Sequence, residues 1–251
     1  MEIYLTKMIL NPRSRKVRRD VGNPQELHRT ISRAFPETEK ETTPRQRYGI
    51  LYRLEMDARS GRVVLLVQSN RRPDWSNLEA DYLIEREDNL ACKQVGENYA
   101  AVENGMRLLF RLRANPTKRV GKSDEKADAR FKPSDDRKIR RRVELIGDEN
   151  ETVEEKQIKW LGRKGEGAGF RLAKVVVKND VANVASVQEG KISFGKNRTA
   201  DARRLTFGSV VFEGVLQVAN ADVFRESIIK GIGSGKAYGF GLLSVAPVRE
   251  N

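Results

Sequence analysis

Cysteine and histidine are nearly absent from this sequence. Its 251 residues include one cysteine, Cys92, and one histidine, His28. A disulfide within the chain and a zinc site built from cysteine and histidine are therefore excluded. Acidic residues occur in mixed charge runs such as 85–88 and 148–155, without a clear set of ligands for a divalent cation. We expect neither a metal nor another cofactor.

Long apolar runs are also missing, and acidic residues are outnumbered by basic ones. No stretch is apolar enough to cross a membrane, and Met1 to Leu5 has the pattern of a strand, not of a signal peptide. We therefore expect a cytoplasmic protein with no membrane partner. Lysine and arginine number 48 against 35 acidic residues, which gives a net charge of +13. A polyanion such as nucleic acid is the natural partner of such a chain.

Glycine is concentrated near the end of the chain, in the segment 231–241. Gly231 and Gly233 would let backbone N–H groups approach an anion, and Lys236 adds a charge that suits phosphate. The alternative is a helix C-cap followed by a turn that tolerates glycine. A nucleoside triphosphate is a poor ligand for this loop, because it follows a helix and lacks the Gly-Lys-Ser/Thr ending of a P-loop.

Basic residues are grouped in several further segments, and each group could face a phosphate backbone or be solvated surface. The stretch 117–150 is dense in charge, and we expect much of it to be mobile without a ligand. The candidate RNA-binding residues are Arg13, Arg15, Arg18 and Arg19 in a loop after the first strand, Arg29 beside His28, Arg111 and Arg113 on one face of a strand over 106–116, Lys118, Arg119, Arg140 and Arg141 in the charge-dense stretch, and Lys196, Arg198, Arg203 and Arg204 at a hairpin tip.

The helix that carries His28 has clear start signals. Asn23 can cap it, Pro24 suits its first position and Glu26 its third. The apolar stripe of this helix leaves His28 on the flank, close to Arg29. A lone histidine there is usually a surface residue. An imidazole with a pKa near ~6.5 can nevertheless give or take a proton at neutral pH, and the nearby arginines could hold a phosphodiester.

The order of predicted elements in the first half is strand, helix, strand, strand, helix. This is the ferredoxin-like arrangement, which RNA-binding RRM domains and many unrelated proteins share. The second half repeats the mixed content, so the residues predict an α+β chain of two packed domains. The predicted elements of the first half are strand 3–10, helix 24–35, strands 48–55 and 63–68, a weaker helix 75–83, and a polar passage 85–104 to the second half.

Segments from both ends of the chain occur in an order that matches a known family. They are Leu5-Thr6-Lys7, Leu27-His28, Phe110 to Pro116, Ile158 to Leu161, Val211 to Leu216 and Gly231 to Pro247. Together they resemble the CasE (Cse3) repeat-processing endoribonucleases of type I-E CRISPR Cascade. The resemblance implies two tandem ferredoxin-like (RRM-like) domains: 1–100, with the catalytic histidine, and 101–251, with a basic RNA-binding face and the glycine-rich loop.

The resemblance also implies an activity. The family cleaves precursor CRISPR RNA at the base of the repeat hairpin, without metal, leaving a 2′,3′-cyclic phosphate and a 5′-hydroxyl. It implies that the product RNA is retained and that the chain joins the other Cascade subunits. His28 matches the catalytic histidine, as acid or base, and Arg33 is the candidate to stabilise the pentacoordinate phosphate. Gln25 stands where the family often has tyrosine, so the second proton-transfer group must be another side chain or water.

Two alternatives remain from the sequence. The chain could be a non-catalytic RNA-binding subunit of the same build, in which Gln25 marks a lost active site. It could also be a general basic nucleic-acid-binding protein in which His28 is incidental. Turnover separates the first alternative from an enzyme, and preference for the cognate hairpin over an unrelated one separates the second.

Overall fold

A computed structural model describes residues 2–38, 42–57, 59–120, 141–175, 178–195 and 204–248. In that part of the chain no helix is long and apolar enough to cross a membrane. The elements in chain order are β1 Tyr4–Leu10, α1 Arg15–Gly22, α2 Pro24–Ser32, α3 Pro44–Arg47, β2 Leu51–Met56, β3 Val63–Ser69, β4 Leu90–Gln94, α4 Gly96–Ala100, β5 Arg107–Ala114, β6 Thr117–Val120, β7 Arg141–Glu144, α5 Val153–Glu166, β8 Phe170–Leu172, β9 Lys174–Val175, β10 Lys178–Ala182, β11 Val184–Gly195, β12 Arg204–Val218, α6 Ala221–Lys230, a 3-10 turn Lys236–Tyr238 and β13 Leu243–Pro247.

The first half forms an antiparallel sheet in the order β2-β3-β1-β4. Met8 and Leu10 of β1 are buried in one core with Leu27 and Ile31 of α2. The two-residue spacing on the strand and the four-residue spacing on the helix each place apolar side chains on one face. Helix α2 is therefore held firmly on this sheet, with the start at Pro24 that the sequence predicts.

The second half forms a sheet whose main strands run β11-β12-β5-β13, with β8 also paired to β12. Phe110 and Phe212 of this sheet share a core with Trp160 of α5 and Phe224 of α6. Counted within each half, the main strands of both sheets stand in the same order: second, third, first, fourth. This repeated antiparallel arrangement confirms an α+β fold of two tandem ferredoxin-like units. A domain border at residue 100 stays a prediction.

The basic segment around Arg15, predicted as a loop, is the helix α1. The Val17 N–H donates to the Ser14 hydroxyl, 3.4 Å away, and caps the helix. Asp20 is fully buried, and the Lys16 ammonium lies 2.5 Å from its carboxylate and 2.5 Å from the Thr30 hydroxyl of α2. The loop prediction was wrong because a buried ion pair, not an apolar stripe, holds this helix in place.

The predicted helix over 75–83 is also wrong. The segment consists of turns, with a bridge from Leu83 to Leu10 of β1. The Asp74 carboxylate accepts the Ser76 N–H, and the Tyr82 hydroxyl donates to the buried Asp20 over 3.1 Å. These bonds hold the turns in place without a helix.

Three further segments contain structure that the sequence analysis did not assign. The predicted linker 36–46 contains the start of α3, whose Thr43 and Gln46 form a capping box. The polar passage 85–104 contains β4 and α4. In the charge-dense stretch 117–150, β6 pairs with β7, and residues 121–140 lie outside the described part of the chain.

The two sheets are joined by a buried arginine. Arg53 of β2 is 3% exposed, and its Nη1 donates to the carbonyl oxygens of Arg111 and Leu242, each 3.1 Å away. Its Nη2 donates to the Ser244 hydroxyl at 3.0 Å, and its Nε to the Glu55 carboxylate at 2.7 Å. A buried guanidinium is tolerated only when its charge and donors are satisfied, and here β5, β13 and Leu242, which precedes β13, supply three of the four acceptors.

Replacing Arg53 with methionine removes the guanidinium and leaves the carbonyls of Arg111 and Leu242 without this donor. We expect the free energy of unfolding, measured with denaturant, to fall by about 3 kcal/mol. Arg62→Met, at an exposed position beside the turn between β2 and β3, is the matched control and should change it by less than about 0.5 kcal/mol. Wild-type stability of Arg53→Met would show that other contacts hold the sheets together.

Candidate functional site

Strand β2 brings the glycine-rich segment 231–241 to the helix that carries His28. A Cβ on Gly231 would lie 2.8 Å from Leu51 Cδ2, so only glycine fits closely against that side chain. Tyr52, which follows Leu51 in β2, is buried. Its hydroxyl lies 3.1 Å from the Pro24 carbonyl of α2 and 3.0 Å from the Ala237 carbonyl. The start of α2 and the 3-10 turn at Lys236–Tyr238 are therefore neighbours.

The glycine-rich segment has a conformation that glycine alone adopts readily. Gly231 ends α6 with φ +76°, and its N–H donates to the Ser227 carbonyl. Gly233 has φ +80°, and a Cβ there would lie 3.3 Å from the Trp160 ring. The helix C-cap that the sequence offered as an alternative is thus present. These glycines are required by the fold, whether or not the loop also binds an anion.

His28 is half-buried beneath this segment, not on an open flank. Its ring is stacked on that of Tyr52, with 6.4 Å between centroids and 17° between planes. Its Nδ1 is buried and has no hydrogen-bond partner among the described residues. Burial, followed by the positive charge of Arg45, lowers the pKa of His28 to about 4. The imidazole is therefore neutral at pH 7.

Arg45 is the cation that acts on His28 directly, and Lys236 is a second cation close to Arg45. Arg45 of α3 acts on the pKa of His28 and also on that of Lys236. Burial, then the charges of Arg45, Lys164 and Lys230, lower the pKa of the Lys236 ammonium, which donates to the Lys230 carbonyl at 2.6 Å. Sequence analysis identified Lys236 but missed Arg45. The capping box of α3 was visible in the sequence, yet nothing in it places this helix beside His28.

A cavity of about 460 Å³ adjoins the glycine-rich segment. It brings the predicted Arg119 and Gly233 together with two cations that the sequence analysis did not single out, Arg142 and Lys164. Lys164 also influences Lys236, which connects the cavity electrostatically to the surroundings of His28. The cavity is lined by Thr117, Arg119, Arg142, Trp160, Lys164, Gly233 and Ser234.

Arg33 and Gln25, the other two predicted catalytic residues, lie at the end of α2 and in its first turn. Arg33 follows the last residue of α2 and lines a small cavity with Lys16 and Trp75. Five residues along an α-helix correspond to a rotation of about 140°, so Arg33 projects from another side of α2 than His28. Gln25 is half-buried, and its backbone N–H donates to the Asn23 side chain. The catalytic roles of both residues stay predictions.

Several predicted RNA-binding arginines are engaged within the fold. Arg111 pairs with Glu213 at 2.8 Å and Glu55 at 3.6 Å. Arg113 pairs with Glu189 at 2.6 Å, and its guanidinium lies 5.4 Å from the centre of the Phe240 ring. These contacts give both residues a role in the structure, and an RNA contact by either stays a prediction.

The remaining predicted RNA-binding residues fall into three groups. Exposed side chains on or near α1, α2 and β6 could reach a ligand, and within this group Arg29 pairs with Glu26 at 2.5 Å. Arg141 begins β7 and Arg204 begins β12. Arg140, Lys196, Arg198 and Arg203 lie outside the described residues. The exposed group is Arg13, Arg15, Arg18, Arg19, Arg29, Lys118 and Arg119.

Within the described ranges, no three His, Cys, Asp or Glu side chains are placed to hold a metal ion together. A mechanism that needs no metal stays a prediction, which cleavage in the presence of a chelator can test.

Known proteins share both the sequence and the fold of this chain. A family model described as "CRISPR associated protein" matches residues 3–247. The CRISPR-associated endoribonuclease Cse3 of Thermus thermophilus is 34% identical over 255 residues, which cover 98% of this chain and 100% of that protein. The CRISPR system Cascade subunit CasE of Escherichia coli is 34% identical over 145 residues, or 57% of this chain and 60% of that protein.

A solved structure extends the likeness to three dimensions. Thermus thermophilus Cse3 bound to an RNA representing a pre-cleavage complex matches with a TM-score of 0.73 at 34% identity, covering 98% of this chain and 100% of that one. The likeness spans both sheets as well as the helix that carries His28. This chain therefore belongs to the Cse3/CasE family of CRISPR-associated endoribonucleases.

Proposed function

We propose that this chain is a metal-independent endoribonuclease that cuts precursor CRISPR RNA at the base of the repeat hairpin. The observation that carries the proposal is a neutral, half-buried imidazole, His28, near Arg45, whose charge also acts on Lys236. Cleavage by the RNA's own 2′-hydroxyl needs proton transfer and stabilisation of negative charge. This group of side chains can supply both.

His28 acts as the general base in this proposal. With a pKa of about 4 it is unprotonated in the free protein at pH 7, so it can accept the proton of the 2′-hydroxyl. The 2′-oxygen then bonds to phosphorus and the bond from phosphorus to the 5′-oxygen breaks, leaving a 2′,3′-cyclic phosphate. The leaving 5′-oxygen takes a proton from water or another acid. Loss of the base should slow cleavage by roughly 10²–10⁴-fold.

In this proposal, Arg45 and Lys236 stabilise the negative charge of the pentacoordinate phosphate. The sequence analysis chose Arg33 for this task from its place about one helical turn beyond His28, but Arg33 projects from another side of α2. Arg45 acts electrostatically on both His28 and Lys236, which is why these two cations are assigned to the phosphate. Fixed cations in a partly buried site stabilise a developing oxyanion better than they would in water.

The RNA backbone enters along the cavity that contains Arg119, Arg142 and Lys164. One of its three cations, Lys164, also acts electrostatically on Lys236. The cavity and Lys236 could therefore bind consecutive phosphates of one backbone. A relative is known bound to RNA, and another is named a Cascade subunit. We propose that this chain likewise binds the repeat hairpin, retains the product RNA and joins Cascade in the cytoplasm. A subunit that binds RNA but does not cut it is the alternative, and Gln25 is the observation that favours it.

The cleavage proposal is tested with a labelled cognate repeat hairpin in excess chelator. Wild type should cut it and leave a cyclic phosphate. His28→Ala should cut at least about 100-fold more slowly, and a substrate with 2′-deoxyribose at the scissile position should resist all variants. Arg62→Met, which keeps every proposed catalytic group, is the control. Tight binding by wild type without any cutting would favour the RNA-binding alternative.

The pKa of His28 predicts how stability depends on pH. Because the pKa is about 4 when folded and near ~6.5 when unfolded, the unfolded chain takes up the proton first as pH falls. The free energy of unfolding keeps this contribution in full above pH ~6.5. It falls by up to about 3 kcal/mol as the pH is lowered to about 4. Denaturant unfolding across this range should show the loss in wild type and a smaller one in His28→Gln. Equal losses in both would contradict a lowered pKa.

The proposed RNA path predicts a change in salt dependence. Arg142→Met and Lys164→Met should each weaken hairpin binding and reduce the slope of log affinity against log salt by about 0.7–0.9 for each phosphate that is no longer neutralised. Titrations at several salt concentrations measure this, with Arg62→Met again as control. A slope unchanged in both variants would place the RNA elsewhere.

A further inference from the structure

Tyr52 is a buried side chain whose hydroxyl touches two parts of the site at once. It lies 3.1 Å from the Pro24 carbonyl and 3.0 Å from the Ala237 carbonyl, and these two acceptors share its one proton. Burial is the main cause that raises the pKa of Tyr52 far above its usual value. The hydroxyl therefore stays protonated. It is a poor candidate for the proton-transfer role of the tyrosine that Gln25 replaces.

The two carbonyls belong to the turns that carry the proposed reacting groups. In an α-helix the carbonyl of residue i accepts the N–H of residue i+4, so the Pro24 carbonyl belongs to the turn that ends at His28. Ala237 directly follows Lys236 in the 3-10 turn. One hydroxyl thus connects the backbone beneath the imidazole to the backbone beside the ammonium.

The ring of Tyr52 also separates these two elements. One face is stacked on His28, 6.4 Å between centroids. A Cβ on Gly239, where φ is +84°, would lie 3.1 Å from Tyr52 Cε2. The ring is therefore close to both the imidazole and the glycine-rich segment, and a change in its position would act on both.

We propose that Tyr52 is a positioning residue for RNA cleavage, whose hydroxyl holds the imidazole of His28 and the ammonium of Lys236 at their working separation. This inference rests on the proposed function, in which these two groups act on the same phosphate. A misplacement of about 1 Å can slow a reaction about 10²-fold without loss of binding, because the reacting atoms must be aligned. Tyr52 itself need not touch the RNA.

Tyr52→Phe removes the hydroxyl and keeps the ring. We expect single-turnover cleavage of the repeat hairpin to slow by about 10-fold or more, with hairpin affinity within about 2-fold of wild type. Tyr99→Phe is the matched control. It removes another buried hydroxyl near the junction of the sheets, one that donates to Gln68 over 3.0 Å, and should cleave within about 2-fold of wild type. Equal rates for Tyr52→Phe and wild type, or equal losses in both variants, would overturn the proposal.

A second readout does not depend on cleavage. His28 is the only histidine, so its imidazole gives a single NMR titration. Tyr52→Phe should raise the midpoint from about 4 toward the usual ~6.5 as the site admits water, and Tyr99→Phe should leave it unchanged. Gly239→Ala, whose added methyl group would press on the same ring, should also raise the midpoint. It is the variant to use if Tyr52→Phe folds poorly. An unmoved midpoint in these Tyr52-site variants would overturn the positioning role, whereas a wild type that never cuts would overturn only the proposed function.

Discussion

The contact between β2 and the segment that follows α6 is the constraint on which the rest of the structure depends. Arg53 donates to the carbonyls of Arg111 and Leu242, which fixes the second sheet against the first. The preceding residue, Tyr52, bonds to Ala237 and Pro24. Successive side chains of a strand point to opposite faces, so one short strand can hold α2 on one side and the second sheet on the other. This contact brings the helix of His28 in the first unit close to the turn of Lys236 in the second.

The position of helix α2 also depends on a buried polar group. The Asp20 carboxylate of α1 accepts from Lys16, from the Thr30 hydroxyl of α2 and from Tyr82, so all of its neighbours are polar and paired. An unpaired buried charge would be costly, but a paired one restricts the helix to a single position. The direction of α2, and hence of His28, follows from this pairing together with the apolar face of Leu27 and Ile31.

The sequence correctly predicted the elements that are determined by residues close together in the chain. Asn23 and Pro24 gave the start of α2, and alternating apolar residues gave β5. The errors arose where distant contacts decide. Helix α1 has one buried apolar residue, Val17, and depends on the pairing of Asp20. Its sequence therefore shows charged residues without an apolar stripe that would indicate a helix. The turns around Leu78 depend on Tyr82 reaching Asp20, which no local pattern reveals.

The site could be predicted only in part for the same reason. His28 was identified from its residue type and the charges beside it, and the glycines with Lys236 from their spacing. What the sequence could not reveal is that these distant segments meet, or that Arg45 of a short helix joins them. The burial that lowers the pKa of His28 is likewise a tertiary effect, since the imidazole lies on a helix flank that would be open without the second sheet. Arg33, chosen for its place about one helical turn beyond His28, projects from another side of α2 in this fold.

The most direct test of the account is a crystal structure of the wild-type protein with a repeat hairpin that carries 2′-deoxyribose at the scissile position. The account predicts that the scissile phosphate lies between the Arg45 guanidinium and the Lys236 ammonium. It also predicts that the 2′-carbon faces the imidazole of His28, and that phosphates on one side of the cut run along Arg142 and Lys164. A scissile phosphate bound elsewhere, with His28 touching no part of the RNA, would contradict it.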